Sequence, residues 1–386
     1  MAEAGTSAVM RILFCSPAQL SNELGASKVI IELAEEMAGL GWDCTLVDPR
    51  DIGPALGGQA YAARLRRYLI DNAARYDVVE YDHGHLPYSR SDFPAETLFV
   101  ARSVLLSHHF DTISIPQDRS IKGRVRSAFS DRKEASLRRL RIERAHATVT
   151  EADLVNVANL HDRDELLRWG VPGAKIVSIP YGLSRKTRNQ FDALHDAQPG
   201  EPEVVFVGTF DNRKGALDFP RVCEQISRAV PRVRFRLLGT FKDRDSVRHC
   251  FPRRLRDRIH VEPFFPADAL PGLLSTGSVG IFPSYIEGFG FGVLEMLAAS
   301  IPVIAYNCPG PPAMLSPDYL VPPGDWSAMG EKVIALLSDR ERLAQGRRWA
   351  KQKSQQFCWD KIARITSDAY IAHAANRQMV RRGVAS

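Results

Sequence analysis

Val279-Gly280-Ile281-Phe282-Pro283-Ser284-Tyr285-Ile286-Glu287-Gly288-Phe289-Gly290-Phe291-Gly292-Val293-Leu294-Glu295 reads as three consecutive pieces. A short apolar run makes a buried strand that ends at Pro283. A glycine-rich turn follows, and a helix begins near Val293. A strand that passes through such a turn straight into a helix is the opening of a βαβ unit, and βαβ units build parallel sheets.

The same alternation extends outward in both directions. Downstream, Pro302-Val303-Ile304-Ala305 and Tyr319-Leu320-Val321 read as further strands, and upstream so do Ile259-His260-Val261, Val233 to Gly239 and Val204-Val205-Phe206-Val207-Gly208. Before Val204 the pattern lapses: residues 184–203 are polar, carry Pro199-Gly200 and Pro202, and read as a linker. Before the linker lies a separate series, with strands expected at Met10–Cys15, Cys44–Asp48, Asp77–Val79, Ser103–Ser107, Asp153–Val157 and Ile176–Pro180. The fold class is therefore α/β, with two Rossmann-like doubly wound domains, residues 1–183 and 204–358, facing a central cleft. Residues 359–386 close the chain, and the spacing of Ile362, Ile365, Ala369, Ile371 and Ala372 predicts a helix that packs back toward the N-terminal domain.

Composition sets the broad class. The 386 residues are 45% hydrophobic and 25% charged, ordinary values for a globular chain of two domains. No run approaches the roughly eighteen apolar residues of a membrane span, and residues 1–9 lack the pattern of a signal peptide, so a cytoplasmic protein is expected. The six cysteines lie far apart, without a Cys-x-x-Cys pair, and read as reduced packing residues. The net charge of +6 is concentrated around residues 119–144, which include Lys122, Arg124, Arg126, Arg132, Lys133, Arg138, Arg139, Arg141 and Arg144. That segment is either a solvated helix face or a contact with anionic lipid at the inner face of a membrane or with an acidic substrate; no nucleic-acid motif accompanies it.

The turn that opened this reading also carries chemistry. The backbone N–H groups from Gly290 to Val293 are expected to face the cleft at a helix start, where anions or hydroxyls are bound. Glu287 and Glu295 flank the turn, and carboxylates accept hydrogen bonds from neutral hydroxyls, a demand that sugars meet better than phosphates. Helix packing alone would also call for such glycines. A second cluster, Gly208-Thr209-Phe210-Asp211-Asn212-Arg213-Lys214-Gly215, follows the first strand of the second domain. A lysine there can meet a diphosphate and stabilise negative charge as a leaving group departs.

The two glutamates separated by seven residues, Glu287-Gly288-Phe289-Gly290 through Glu295, resemble the signature of the retaining glycosyltransferases of family 4, which have the GT-B architecture of two Rossmann domains. The stretches Ala152–Val155, Ile179-Pro180-Tyr181-Gly182, Ala298–Ala305 and Pro322-Pro323-Gly324-Asp325 fall where that family has equivalents, so the resemblance covers nearly the whole chain. It implies a nucleotide-sugar donor, no metal and no separate cofactor. Glu295 would hold the nucleotide ribose, Glu287 the donor sugar, and the amides of Gly288, Phe289, Gly290, Phe291, Gly292 and Val293 the remaining hydroxyls. Gly25, between the first strand and helix, stands where the family has a pair of glycines, and either His108 or His109 matches a histidine that touches the donor sugar. His83 and His85 are too few for a metal site, and His83 is kept as an acceptor contact.

The chain departs from the family pattern at Thr209, where an arginine is usual, and at Tyr181, where asparagine is common. Either Arg213 supplies the guanidinium from a shifted loop, or diphosphate binding is weaker, or activity is lost. The sequence thus points to a retaining transferase acting on a glycan or lipid-linked acceptor. The alternatives are a non-catalytic sugar-binding or scaffolding subunit, or an enzyme of the same architecture with epimerase or phosphorylase chemistry.

Overall fold

The computed structural model describes residues 9–21, 25–53, 60–86, 89–117, 121–194 and 200–384; the side chains of 22–26, 118–133 and 378–384 lie outside the description. Two six-stranded sheets, parallel throughout, organise it. The first holds β1 (Arg11–Cys15), β2 (Asp43–Val47), β3 (Val78–Asp82), β4 (Leu98–Ser103), β5 (Leu154–Val157) and β6 (Ile176–Ser178), in the order β2-β1-β3-β4-β5-β6. The second holds β7 (Glu203–Val207), β8 (Arg234–Leu238), β9 (Ile259–Glu262), β10 (Val279–Phe282), β11 (Val303–Tyr306) and β12 (Leu320–Val321), in the order β12-β11-β10-β7-β8-β9. Helices cover both faces, so strand residues such as Ile12, Leu13, Phe14, Val204, Val205 and Phe206 are all buried. Each sheet winds outward from its first strand. Crevices therefore open beyond the carboxyl ends of β1 and β3, and of β7 and β10, where strand order reverses.

The expected strand at Ser103–Ser107 is displaced: β4 is Leu98-Phe99-Val100-Ala101-Arg102-Ser103, and the chain has left the sheet by Val104. Arg102 hides this strand from an apolar reading, because its guanidinium is buried against Glu80 on β3, with Nε 2.6 Å from Oε1. The polar stretch 184–203 also contains more order than a linker. Ser184 caps a helix, Arg185–Asp192, through the Thr187 N–H, and Phe191 anchors it in the core.

The chain crosses between domains twice, side by side. Leu183 donates its N–H to the Phe357 carbonyl and accepts from Trp359, so entry and exit form one two-stranded hinge. Tyr181 fills it: the fully buried ring contacts Phe289, Phe291 and Trp359, and its hydroxyl donates to the Ser103 carbonyl at 3.0 Å.

Beyond the hinge, the helix Trp359–Val384 lies against the first domain. Trp359 Nε1 donates to Glu32 at 2.6 Å, Trp42 Nε1 to Ser367 at 2.9 Å, and the Tyr370 hydroxyl to Glu80 at 2.5 Å. Its buried face is Trp359, Ile362, Ala363, Thr366, Tyr370 and Ala374, whereas Ile365 and Ile371, expected to dock, are 52% and 43% exposed. The aromatic and hydroxyl side chains that reach the first sheet's polar network take the inward positions instead. Among the described residues no helix is long and apolar enough to cross a membrane.

Trp359→Ala removes a fully buried side chain and leaves the Glu32 carboxylate short of a donor, which costs the first domain about 3–5 kcal/mol of unfolding free energy. Ile365→Ala, on the outward face, changes it by no more than about 0.5 kcal/mol. Denaturant titration of the two variants checks this; equal losses would contradict the docked face.

Candidate functional site

The site is built first on the switch point of the second sheet. After β7, Thr209 Oγ1 donates to Asp211 Oδ2 at 2.6 Å, and Asp211 Oδ1 accepts the Lys214 N–H at 3.1 Å, capping the short turn Asn212–Lys214. This loop lies on the end of β10, where the Tyr285 N–H donates to the Arg213 carbonyl at 2.8 Å. Tyr285 and Tyr306 both donate to Asp218, at 2.6 and 3.0 Å, and buttress the same turn from behind. The loops after β7 and β10 are thus one unit.

Lys214 and Arg213 both turn to Glu287. The Lys214 ammonium lies 2.5 Å from Glu287 Oε1, and Arg213 Nη1 lies 3.3 Å from the same oxygen while donating to the Ile286 carbonyl at 3.0 Å. Glu287 is only 6% exposed, and these two cations are its charge partners there. Thr209, standing where an arginine was missed, shapes the loop through Asp211, and it is Arg213 whose guanidinium reaches the glutamate turn.

Gly290 has φ +91, a left-handed conformation that glycine adopts without strain, and it aims the helix Phe291–Ala298 away from the turn. No side chain caps that helix. The Val293 N–H is not free as expected, because it bonds the Gly290 carbonyl at 2.9 Å. Gly292 serves packing: a Cβ there would lie 2.3 Å from the Val207 carbonyl oxygen, so the helix start presses on the end of β7. Phe289 and Phe291 contribute no side chain to the turn's polar face. Phe289 is buried among Tyr181, Phe291 and Phe357, and Phe291 stacks on Tyr181 at 5.9 Å, which ties the turn to the hinge.

Glu295 lies one helical turn on. Burial pushes its carboxyl up to about 7 even though part of the residue stays open, with Lys28 and Lys214 opposing the rise and Glu32 adding to it. Lys28 and Glu32 belong to the helix Gly25–Gly39, which starts at the predicted Gly25. They escaped the sequence reading because an i, i+4 Lys–Glu pair on an amphipathic helix looks like any solvated face.

The histidines are placed differently from the expectation. With β4 ending at Ser103, the residues that meet the second domain are Val104 and Leu105, and His108 and His109 fall beyond them. His108 has no exposed surface; its ring packs edge-on against Trp169 and His146, and burial pushes its pKa down to about 3. His109 is buried with its Nε2 2.7 Å from Asp162. Neither ring is open to the cleft. His83 is buried and paired with Ser107, and His85 sits 2.6 Å from Asp82. Among the described residues no group of three or more His, Cys, Asp or Glu is arranged to hold a metal ion.

The first sheet's switch point carries a narrow crevice of about 50 Å³ lined by Ser16, Ser27, Asp82 and Arg102. A larger cavity of about 680 Å³ lies between Phe110–Ser114, Trp169 and the helix Ile121–Glu151, with Arg138, Arg139 and Glu143 at its wall. Of the basic segment, Lys122, Arg124, Arg126, Arg132 and Lys133 lie outside the described side chains, while Arg138, Arg139, Arg141 and Arg144 are exposed beside Leu137 and Leu140.

Comparison with known proteins places this geometry. Residues 201–339 match the family described as glycosyl transferases group 1. The chain is 27% identical to the 2-deoxystreptamine N-acetyl-D-glucosaminyltransferase of Streptomyces fradiae over 53% of its own length and 49% of that protein's. It is 32% identical to the D-inositol 3-phosphate glycosyltransferase of Streptomyces bingchenggensis over 58% and 53%. The chain spans about half the length of the curated relatives it matches. Among solved structures, the sucrose-phosphate synthase of Thermosynechococcus elongatus superposes with a TM-score of 0.73 at 20% identity, covering 95% of this chain and 100% of that one. Anabaena HepE in complex with UDP and glucose gives 0.64 at 15%, covering 93% and 99%. The fold is GT-B, and residues 201–339, which carry Arg213, Lys214, Glu287 and Glu295, are similar to the group 1 glycosyl transferase domain.

Proposed function

We propose that this chain transfers a sugar, with retention of anomeric configuration, from a nucleotide-sugar donor to a glycan or lipid-linked acceptor. The observation that carries the reading is the convergence of Lys214 and Arg213 on Glu287 at an uncapped helix start, with Glu295 one turn further on. A diphosphate arriving there is met by two cations that already share one site. Their partner Glu287 is then free to accept hydrogen bonds from sugar hydroxyls, and Glu295 from the ribose. Names of similar proteins support the class: several are glycosyltransferases, and one neighbour is a complex with UDP and glucose.

As the glycosidic bond breaks, negative charge builds on the diphosphate, and the Lys214 ammonium stabilises it without having to reorganise. An acceptor hydroxyl attacks from the first-domain side, on the face the diphosphate leaves, and a phosphate oxygen takes its proton. Exposed Leu137 and Leu140 among the arginines of the long helix support an acceptor held at an anionic membrane surface. Arg213, whose guanidinium reaches Glu287, supports the catalytic reading over a non-catalytic subunit.

Lys214→Ala is expected to lower nucleoside diphosphate release from the preferred of UDP-, GDP- and ADP-sugars by about 10²-fold or more. Release unchanged in this variant would contradict the role; wild-type protein that binds all donors inertly would favour the non-catalytic subunit. The raised carboxyl of Glu295 gives a pH signature. A group with folded pKa about 7 is mostly protonated at pH 6 and ionised at pH 8. Because the ribose diol needs the carboxylate, donor affinity rises about tenfold between those values, and Glu295→Gln flattens the dependence. For stability the sign is opposite: the raised pKa makes folding less favourable as pH climbs from the unfolded value toward 7. Calorimetric titration at both pH values checks the binding, and an equal slope in the variant would contradict it.

A further inference from the structure

We propose that Asn159 is the positioning residue that docks the Glu287–Gly288 turn onto the first domain and so completes the donor site; this rests on the donor reading above. Its side chain is 2% exposed and is used twice. Oδ1 accepts the Asp162 N–H at 2.9 Å, capping the helix Leu160–Arg168, and Nδ2 donates across the cleft to the Gly288 carbonyl. An amide is suited to this because it accepts and donates at once in a fixed plane.

Both ends of the contact are rigid. On the first-domain side, Asp162 has no exposed surface and is held by His109, which thus braces the capped helix start rather than reaching a sugar. On the other side, Gly288 leaves no room for a side chain: a Cβ would lie 1.6 Å from the Val104 carbonyl oxygen. The turn therefore fits against Val104 and Leu105 only as bare backbone, and Asn159 supplies the hydrogen bond that this backbone carbonyl needs once water is excluded. Glu287 precedes the docked carbonyl directly, and Ile286, one residue earlier, holds Arg213. Fixing Gly288 thus fixes the carboxylate and guanidinium beside it. A second interdomain bond, Asn212 to Gln117 at 3.4 Å, tethers the neighbouring loop to the same side.

The capping and docking roles separate by substitution in the full chain. Asn159→Ser keeps an oxygen for the Asp162 N–H but is too short to reach the Gly288 carbonyl, whereas Asn159→Ala loses both. Asn159→Ser is expected to melt close to wild type, yet amide exchange of residues 286–290 in donor-free protein accelerates roughly tenfold, and the Kd for whichever of UDP-glucose, GDP-mannose and ADP-glucose binds wild type weakens roughly tenfold. Asn159→Ala shows the same losses plus a lower melting temperature. Wild-type exchange in Asn159→Ser overturns the docking role, and faster exchange with unaltered Kd overturns its link to the donor. If wild type binds none of the three, the functional reading fails, while the exchange measurement still decides the docking.

Discussion

A buried carboxylate must be neutralised where it sits, and in this chain the demand falls on Glu287. Its two cationic partners come from the loop after β7, while Glu287 itself follows β10. Neighbouring strands of one parallel sheet are thereby locked together at their carboxyl ends, at the point where the sheet's winding reverses. An ion pair of this kind adds little net stability when its desolvation cost is counted, but breaking it by removing one partner is expensive. The arrangement is best understood as a charge site held ready: two cations, one carboxylate, and a helix start without a cap.

The second domain does not finish that site alone. Gly288 lies on the Val104 carbonyl, the charges of Lys28 and Glu32 act on Glu295, and the hinge ring of Tyr181 is packed by Phe289 and Phe291 from the very turn in question. The C-terminal helix crosses back to clamp the first domain through Trp359, Ser367 and Tyr370. Positions at the cleft, the hinge and the tail are therefore joined by one run of packing and hydrogen-bond contacts.

Much of this was legible in the chain itself. Apolar strands buried on both faces announce themselves as short continuous runs, so the two sheets and the glycine turn between β10 and its helix could be read directly. β4 slipped because Arg102, a buried charge satisfied by Glu80 from the neighbouring strand, breaks the run it belongs to. That slip carried His108 and His109 to the cleft edge on paper, whereas the real edge is Val104 and Leu105. Phe289 and Val293 show a related limit: proximity in a motif does not reveal which atoms face a ligand and which are spent on packing or on local hydrogen bonds. Asn159 could be recognised as a helix cap from Asn-x-x-Asp, but its partner lies 129 residues away and only the folded chain brings the two together.

The central claim is that Lys214, Arg213, Glu287 and Glu295 form one nucleotide-sugar site. A crystal structure of the chain with a bound nucleoside diphosphate sugar tests it most directly. The account predicts diphosphate oxygens within hydrogen-bond distance of Lys214 and Arg213, the ribose on Glu295 and the sugar on Glu287. A ligand bound elsewhere, with the Lys214–Glu287 pair undisturbed, would contradict it.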